Sequence, residues 1–495
     1  MSLHAQSSPA ARAALNRQRR NARAASMIAG IAGTVLLSLV LTLIFLPKPV
    51  ETTGPIEYVE VGVDRPDPPD APDIPVSASN PASLGARPIP SILADLAAPV
   101  ALPEVEFADV AGPGFGTGLD GTGLGEALGD SGMGDDFGPI HHDLSKRCAR
   151  QDRLDRLREA GAPTESDDHV LRALRFLKST QAADGGWGNK HRSAMTGLAL
   201  LAYLGRCETS VSEEFGESCV RAITFLTDIG MRNDGRLVEN ASDRHWPYEQ
   251  AIATYALAEA ESFHRALGIR MPELRRVVGR AGQIIIDGQH PSGGWDYAYD
   301  TTGGRGGDLS ITGWQLQALK ACKLTGIDLR NLRSCVRDGL EYVEARQAGD
   351  GGFGYQGTAP AGGAAGASLT GVGMLSFQIW DKGSASPVRK GEDYAAKRMR
   401  FEWDGPQCDL YAHYYLSQAM FRRGGRSWEK YRPQVFDTLL PSQAADGSWP
   451  VPGGGSKVQA VGALFANDTP EGRHYRTTLA ALMLEVPYRY LPMSR

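Results

Sequence analysis

The chain lacks an excess of positive charge. Lysine and arginine total 52 against 57 acids, a net charge of −5, which argues against nucleic acid as a partner. Cysteine is scarce too. Six in 495 residues, Cys148, Cys207, Cys219, Cys322, Cys335 and Cys408, are too few for a disulfide scaffold. One stretch, Met27 to Leu46, has no charge over 20 positions. At about 1.5 Å per residue that is long enough to span a hydrocarbon core of about 30 Å.

The flanks of that stretch differ in charge. Arg12, Arg17, Arg19, Arg20 and Arg23 precede it with no acid among them, and residues 47–75 carry seven acids against Lys48 and Arg65. The expectation is a single-pass inner-membrane protein: residues 1–26 a cytoplasmic tail, 27–46 a transmembrane helix in the lipid bilayer, the rest extracytoplasmic. A cleaved signal peptide would be shorter and end in a small-x-small site, whereas Phe45-Leu46-Pro47-Lys48 follows here. Residues 47–104 hold 13 prolines and 112–138 hold 11 glycines. Such composition buries too little apolar surface to offset backbone entropy, so 47–144 reads as a disordered stalk. A glycine-rich phosphate cradle would need a strand before and a helix after, and neither is visible.

From 145 to 495 an internal repeat appears. Glutamine, three residues, glycine, one residue and an aromatic recur at Gln181 to Trp187, Gln289 to Trp295, Gln347 to Phe353 and Gln443 to Trp449. Degenerate copies lie at Asn233-Asp234-Gly235 and Glu402-Trp403-Asp404-Gly405. Before the first anchor, Val170, Leu171, Leu174 and Leu177 alternate with Arg172, Arg175 and Lys178 at helical spacing, an amphipathic helix with one wet face. After it, Thr196 to Leu204 is apolar all round, a buried helix. The buried type recurs at 311–319, 369–377 and 476–484, and helices at 248–257 and 410–420 complete six. The fold expected is all-α: an α/α toroid of six helical hairpins, closed because an open row would leave its first and last inner helices half exposed.

The QxxxGxW motif in this register resembles the QW repeat of the squalene cyclase and protein prenyltransferase superfamily, over about residues 167–495. The layout is similar to uncharacterised membrane-anchored bacterial members. That resemblance implies an α/α toroid with a central cavity, its glutamines and aromatics structural. The DxDD acid motif of squalene-hopene cyclases is absent, and the acidic pairs Asp404 with Asp409 and Asp296 with Asp300 lack its spacing. The CGEQ motif of thioester domains is absent too, since Asp409-Leu410-Tyr411 follows Cys408. Resemblance to prenyltransferases suggests a zinc set of Cys408, Asp409 and His474, with His413 in reach. Here the Asp and Cys are adjacent and in reversed order.

Cys219 and Cys335 occupy equivalent outer helices, and Cys207 and Cys322 the ends of the preceding inner ones. Disulfides Cys207–Cys219 and Cys322–Cys335 suit an oxidising compartment; the alternative is small apolar core residues. Inner-helix N-termini collect at one rim and favour anionic ligands. His245, Glu249, Asp296, Tyr297, Asp404, Tyr414 and Tyr475 are the ligand-rim candidates, and they would equally suit a packed core with a solvated edge. The function expected is binding of an envelope ligand or protein. The alternatives are an envelope polysaccharide or peptide hydrolase or lyase, and a zinc-dependent prenyltransferase-like enzyme.

Overall fold

A computed structural model describes residues 147–357, 364–404, 408–452 and 468–490. The expected tail (1–26), membrane helix (27–46) and stalk (47–144) lie outside these residues. Among the described residues no helix is long and apolar enough to cross a membrane, and this corrects the expected inner-membrane location. The longest helix among the described residues has 21 residues, carries Glu249, Glu259 and Arg265, and packs inside the ring.

Helix α1 (Arg150–Glu159) precedes six hairpins, and no strand occurs among the described residues. The outer helices are α2 (Ser166–Ser179), α4 (Gly216–Arg232), α6 (Leu274–Asp287), α8 (Leu332–Glu344), α10 (Ser386–Arg398) and α12 (Gly425–Leu439). The inner helices are α3 (Arg192–Gly205), α5 (Trp246–Ala266), α7 (Leu309–Leu324), α9 (Ala364–Ile379), α11 (Leu410–Arg423) and α13 (Pro470–Leu484). Each inner helix packs on the next, and α13 packs back on α3, so the ring is closed. A short helix α14 (Val486–Arg489) follows.

Sequence pattern explains the two layers. In α2, Val170, Ala173, Leu174 and Leu177 are buried while Arg172, Arg175 and Lys178 stay exposed. In α3 every residue from Ser193 to Gly205 is buried. Glycine lets inner helices touch: a Cβ on Gly371 would lie 2.6 Å from the Leu416 backbone nitrogen of α11.

The repeated turn is a two-way clamp. Gln181 Nε2 donates to Gly185 O in its own turn and to Ser218 O in the next outer helix, at 2.8 and 3.0 Å. Gln289 does the same to Gly293 and Cys335, and Gln347 to Gly351 and Pro387. The indoles of Trp187, Trp295 and Trp449 donate back to Leu177, Ile285 and Leu439 at the ends of their own outer helices. Thr196, Thr312, Thr370 and Thr477 on the inner helices accept from the aromatic residues' backbone N–H groups. The degenerate turns use other partners. Gln250 of α5 donates to Gly235 O, and Gln434 accepts from Phe401 N.

The cysteines depart from expectation. Cys207 is bonded to Cys148, with Cα atoms 4.9 Å apart. Cys219, Cys322 and Cys335 are buried free thiols. Cys219 Sγ donates to Glu208 O. Cys322 Sγ lies against Gly282 of the preceding outer helix. Three of the four expected partners are therefore apolar core residues.

Helix α14 seals one end of the ring. Arg489 donates to Leu201 O at 2.5 Å and pairs with Glu259 at 2.7 Å, and Arg147 meets the other oxygen of Glu259 at 2.6 Å.

Candidate functional site

The N-cap positions of the inner helices share one register and lie at one rim. His191 caps α3, His245 caps α5, Asp308 caps α7, Asp409 caps α11 and Thr469 caps α13. Three of these adjacent caps join into one polar chain. Glu249, in the first turn of α5, places Oε1 3.3 Å from His191 Nδ1 and accepts from Ser193 N with Oε2. His191 Nε2 stands 3.9 Å from Asp243 Oδ2. Asp243 Oδ1 accepts from His245 N and pairs with His245 Nδ1 at 2.8 Å.

The chain continues through an aromatic ring. The edge of His245 meets Tyr297 at 4.7 Å between centroids. The short 3-10 turn Tyr297–Tyr299 is held there by Ala298 N donating to Arg244 O. Arg305 lies over Tyr297 at 4.1 Å, a cation–π contact. Its guanidinium reaches Asp296 at 3.2 Å and Asp308 at 2.8 Å. Asp308 accepts from Ser310 Oγ, which meets the Tyr248 hydroxyl at 2.6 Å.

Charge is distributed unevenly along this chain. The Glu249 hydrogen bond holds the His191 pKa above its ordinary value, against the pull of burial. Burial works to raise Asp243, but the backbone and imidazole of His245 and the charge of His191 outweigh it and hold the carboxyl low. Burial raises Asp308 despite Arg305 beside it. His191, Asp243 and His245 each keep more than a third of their side-chain surface accessible, whereas Glu249 is buried beneath them. The site is an accessible layer of imidazole and carboxylate set on a buried carboxylate.

Behind the rim, tyrosines face the ring's interior. Tyr248, Tyr255, Tyr411 and Tyr475 lie on inner helices and keep accessible surface, yet burial pushes each phenol up.

Of the rim candidates, His245, Glu249, Asp296 and Tyr297 come together. Tyr475 stands apart beside Asp409 and Tyr411, and Asp404 is an exposed residue of the fifth turn. Tyr414 is corrected: it is 2 % exposed, stacked on Trp314 at 5.4 Å, and faces the Tyr490 end of the ring. The zinc set is also corrected. No group of three or more His, Cys, Asp or Glu among the described residues could hold a metal. Asp409 accepts from Ser368 Oγ and from Ala412 N in its own helix. His474 Nε2 is spent on Met195 O, and both nitrogens of His413 are taken by Tyr431 and Arg400. Burial pushes the Cys408 thiol up to about 12. His191, Asp243, Arg305 and Ser310 were not singled out by sequence, although His191 precedes its inner helix as His245 does.

No family model and no curated protein matches the chain. Among solved structures it is similar to two variants of the type II terpene cyclase MstE from Scytonema. One is in complex with the product merosterolic acid A and the other with the substrate geranylgeranyl dihydroxybenzoate. Each shows 13% identity and a TM-score of 0.42, covering 68% of this chain and 97% and 98% of theirs. The closed ring described above stands on its own contacts.

Proposed function

We propose that the toroid is a binding protein whose rim, over the starts of α3, α5 and α7, takes a peptide segment or glycan. The carrying observation is the accessible run from His191 through Asp243 and His245 to Tyr297, with Arg305 behind it. It alternates hydrogen-bond donors, acceptors and an aromatic ring, as a polymer bearing hydroxyl or amide groups requires. The test follows the imidazole proton resonances of His191 and His245 while the full chain is titrated with chitooligosaccharides and with a mixed-sequence peptide library. Saturable shifts lost in His245→Ala support the reading. Resonances that stay still with every probe overturn it.

A second reading is favoured by one contact. The His191–Glu249 pair has the form of a general acid held by a carboxylate, suited to hydrolysis or elimination on the same class of ligand. Turnover with a narrow pH optimum, abolished by Glu249→Gln while binding persists, would establish it.

A further inference from the structure

We infer that the C-terminal ends of inner helices α7 and α9, away from the rim chain, form a docking face for an acidic segment of this chain, residues 130–143. Those residues lie outside the described ones. The face is centred on Trp380, half-buried just after α9, whose Nε1 donates to Leu316 O of α7 at 3.3 Å. Lys320 and Lys323 of α7 both stand over its ring, at 5.3 and 5.4 Å, as cation–π partners.

Positive charge exceeds negative on this face. Asp381 pairs with Lys320 at 3.4 Å and is the one acid that pairs with either lysine among the described residues. Lys382 is exposed beside it. Burial lowers the Lys320 pKa; Asp381 opposes the fall, and the charges of Lys323 and Arg422 add to it. Like charges are therefore gathered here with too little acid to balance them. Leu324, next to Lys323, is one of three large apolar side chains exposed among the described residues. A partner that is anionic and carries an apolar side chain matches both features.

The chain itself carries such a segment. Residues 88–145 hold ten acids and no lysine or arginine. Asp130, Asp135, Asp136 and Asp143 close that run, with Phe137 among them. The described chain begins at Arg147, which meets Glu259 of α5 at 2.6 Å. Glu259 also holds Arg489, and Arg489 and Arg422 both lie over the Tyr490 ring, at 5.7 and 5.0 Å. Arg147 and the lysines thus share one end of the ring. From α5 to α9 is two helix spacings of about 8–10 Å each, and the eleven residues from Asp136 to Arg147 reach up to about 36 Å. A tether of that length keeps the acids at high effective concentration over the face.

The test uses a fluorescein-labelled peptide of residues 128–145 and two full chains: the unaltered one, and one neutralised by Asp130→Asn, Asp135→Asn, Asp136→Asn and Asp143→Asn. Fluorescence anisotropy should show one peptide bound per neutralised chain. The unaltered chain should bind it about tenfold more weakly or less, because its own segment competes. Lys320→Gln with Lys323→Gln in the neutralised chain should abolish binding. If that pair fails to fold, Lys323→Glu at its exposed position should weaken binding on its own. No binding to the neutralised chain, equal binding to both chains, or binding undiminished by the lysine variants overturns the docking face. Light scattering separates a second copy as the occupant: the unaltered chain should be no larger than the neutralised one, and a dimer that dissociates on neutralisation would overturn docking within one chain.

Discussion

Gln443 Nε2 donates to His169 O at 2.9 Å, joining the last turn to the first outer helix 274 residues earlier. It also donates to Gly447 O, and its Oε1 accepts from Arg172. The ring thus closes with the same clamp that joins its neighbours. Gln443→Ala removes these bonds and leaves the Gly447 carbonyl without its side-chain donor, at a cost of about 1–3 kcal/mol. Urea denaturation measures this. A midpoint equal to that of the unaltered chain would show that closure does not depend on the clamp.

Gly293 sits at φ +91, and a Cβ there would come within 2.2 Å of Asp338 O in the next outer helix. Gly293→Ala meets both a left-handed backbone and a backbone clash, so it should destabilise by more than about 1 kcal/mol. Gly304, with nothing near its Cβ position, should tolerate alanine. Equal melting temperatures for the two variants would contradict this account.

His191 links the rim to pH. Its folded pKa is raised above the unfolded value near 6.5, so the folded state holds this proton more tightly. The pair's contribution to stability is fully present below about pH 6.5 and is lost as pH rises through the folded value. In Glu249→Gln, the NMR titration midpoint of His191 should fall. A midpoint that does not move would remove Glu249 as the cause.

The Cys148–Cys207 bridge fixes the residue next to Arg147, whose guanidinium pairs with Glu259. Cys148→Ser should cost about 2–4 kcal/mol. Reducing agent should produce a comparable loss in the unaltered chain and none in Cys148→Ser. Thiol titration of the unreduced, denatured chain should find Cys219, Cys322, Cys335 and Cys408 free; mapping that recovers Cys207 bonded to Cys219, or Cys322 bonded to Cys335, would refute this assignment.

Ending the chain after Val486 deletes Arg489 and leaves Glu259 with Arg147 alone. Breaking a buried ion network of this kind costs about 3–5 kcal/mol. An unchanged melting temperature would show that the seal at this end of the ring carries no stability.

Local pattern and chain-wide contact contributed differently here. Periodicity separated wet outer helices such as α2 from fully buried inner ones such as α3, because a helix's exposure is written in which faces carry charge. The spacing of Gln181, Gly185 and Trp187 marked the turns, because only glycine adopts the required backbone and only those side chains reach both neighbours. Six such units already implied a closed ring. Tertiary structure alone decided which polar residues meet. His191 and Glu249 lie 58 positions apart and touch because α3 packs on α5. Cys408 and His474 share a plausible composition for a metal but face different neighbours, since each inner-helix start turns its side chain toward whichever partner the ring places beside it. Cys207 paired with Cys148 in place of Cys219 for the same reason: a bond needs two side chains within reach, and reach is set by packing, not by order along the chain.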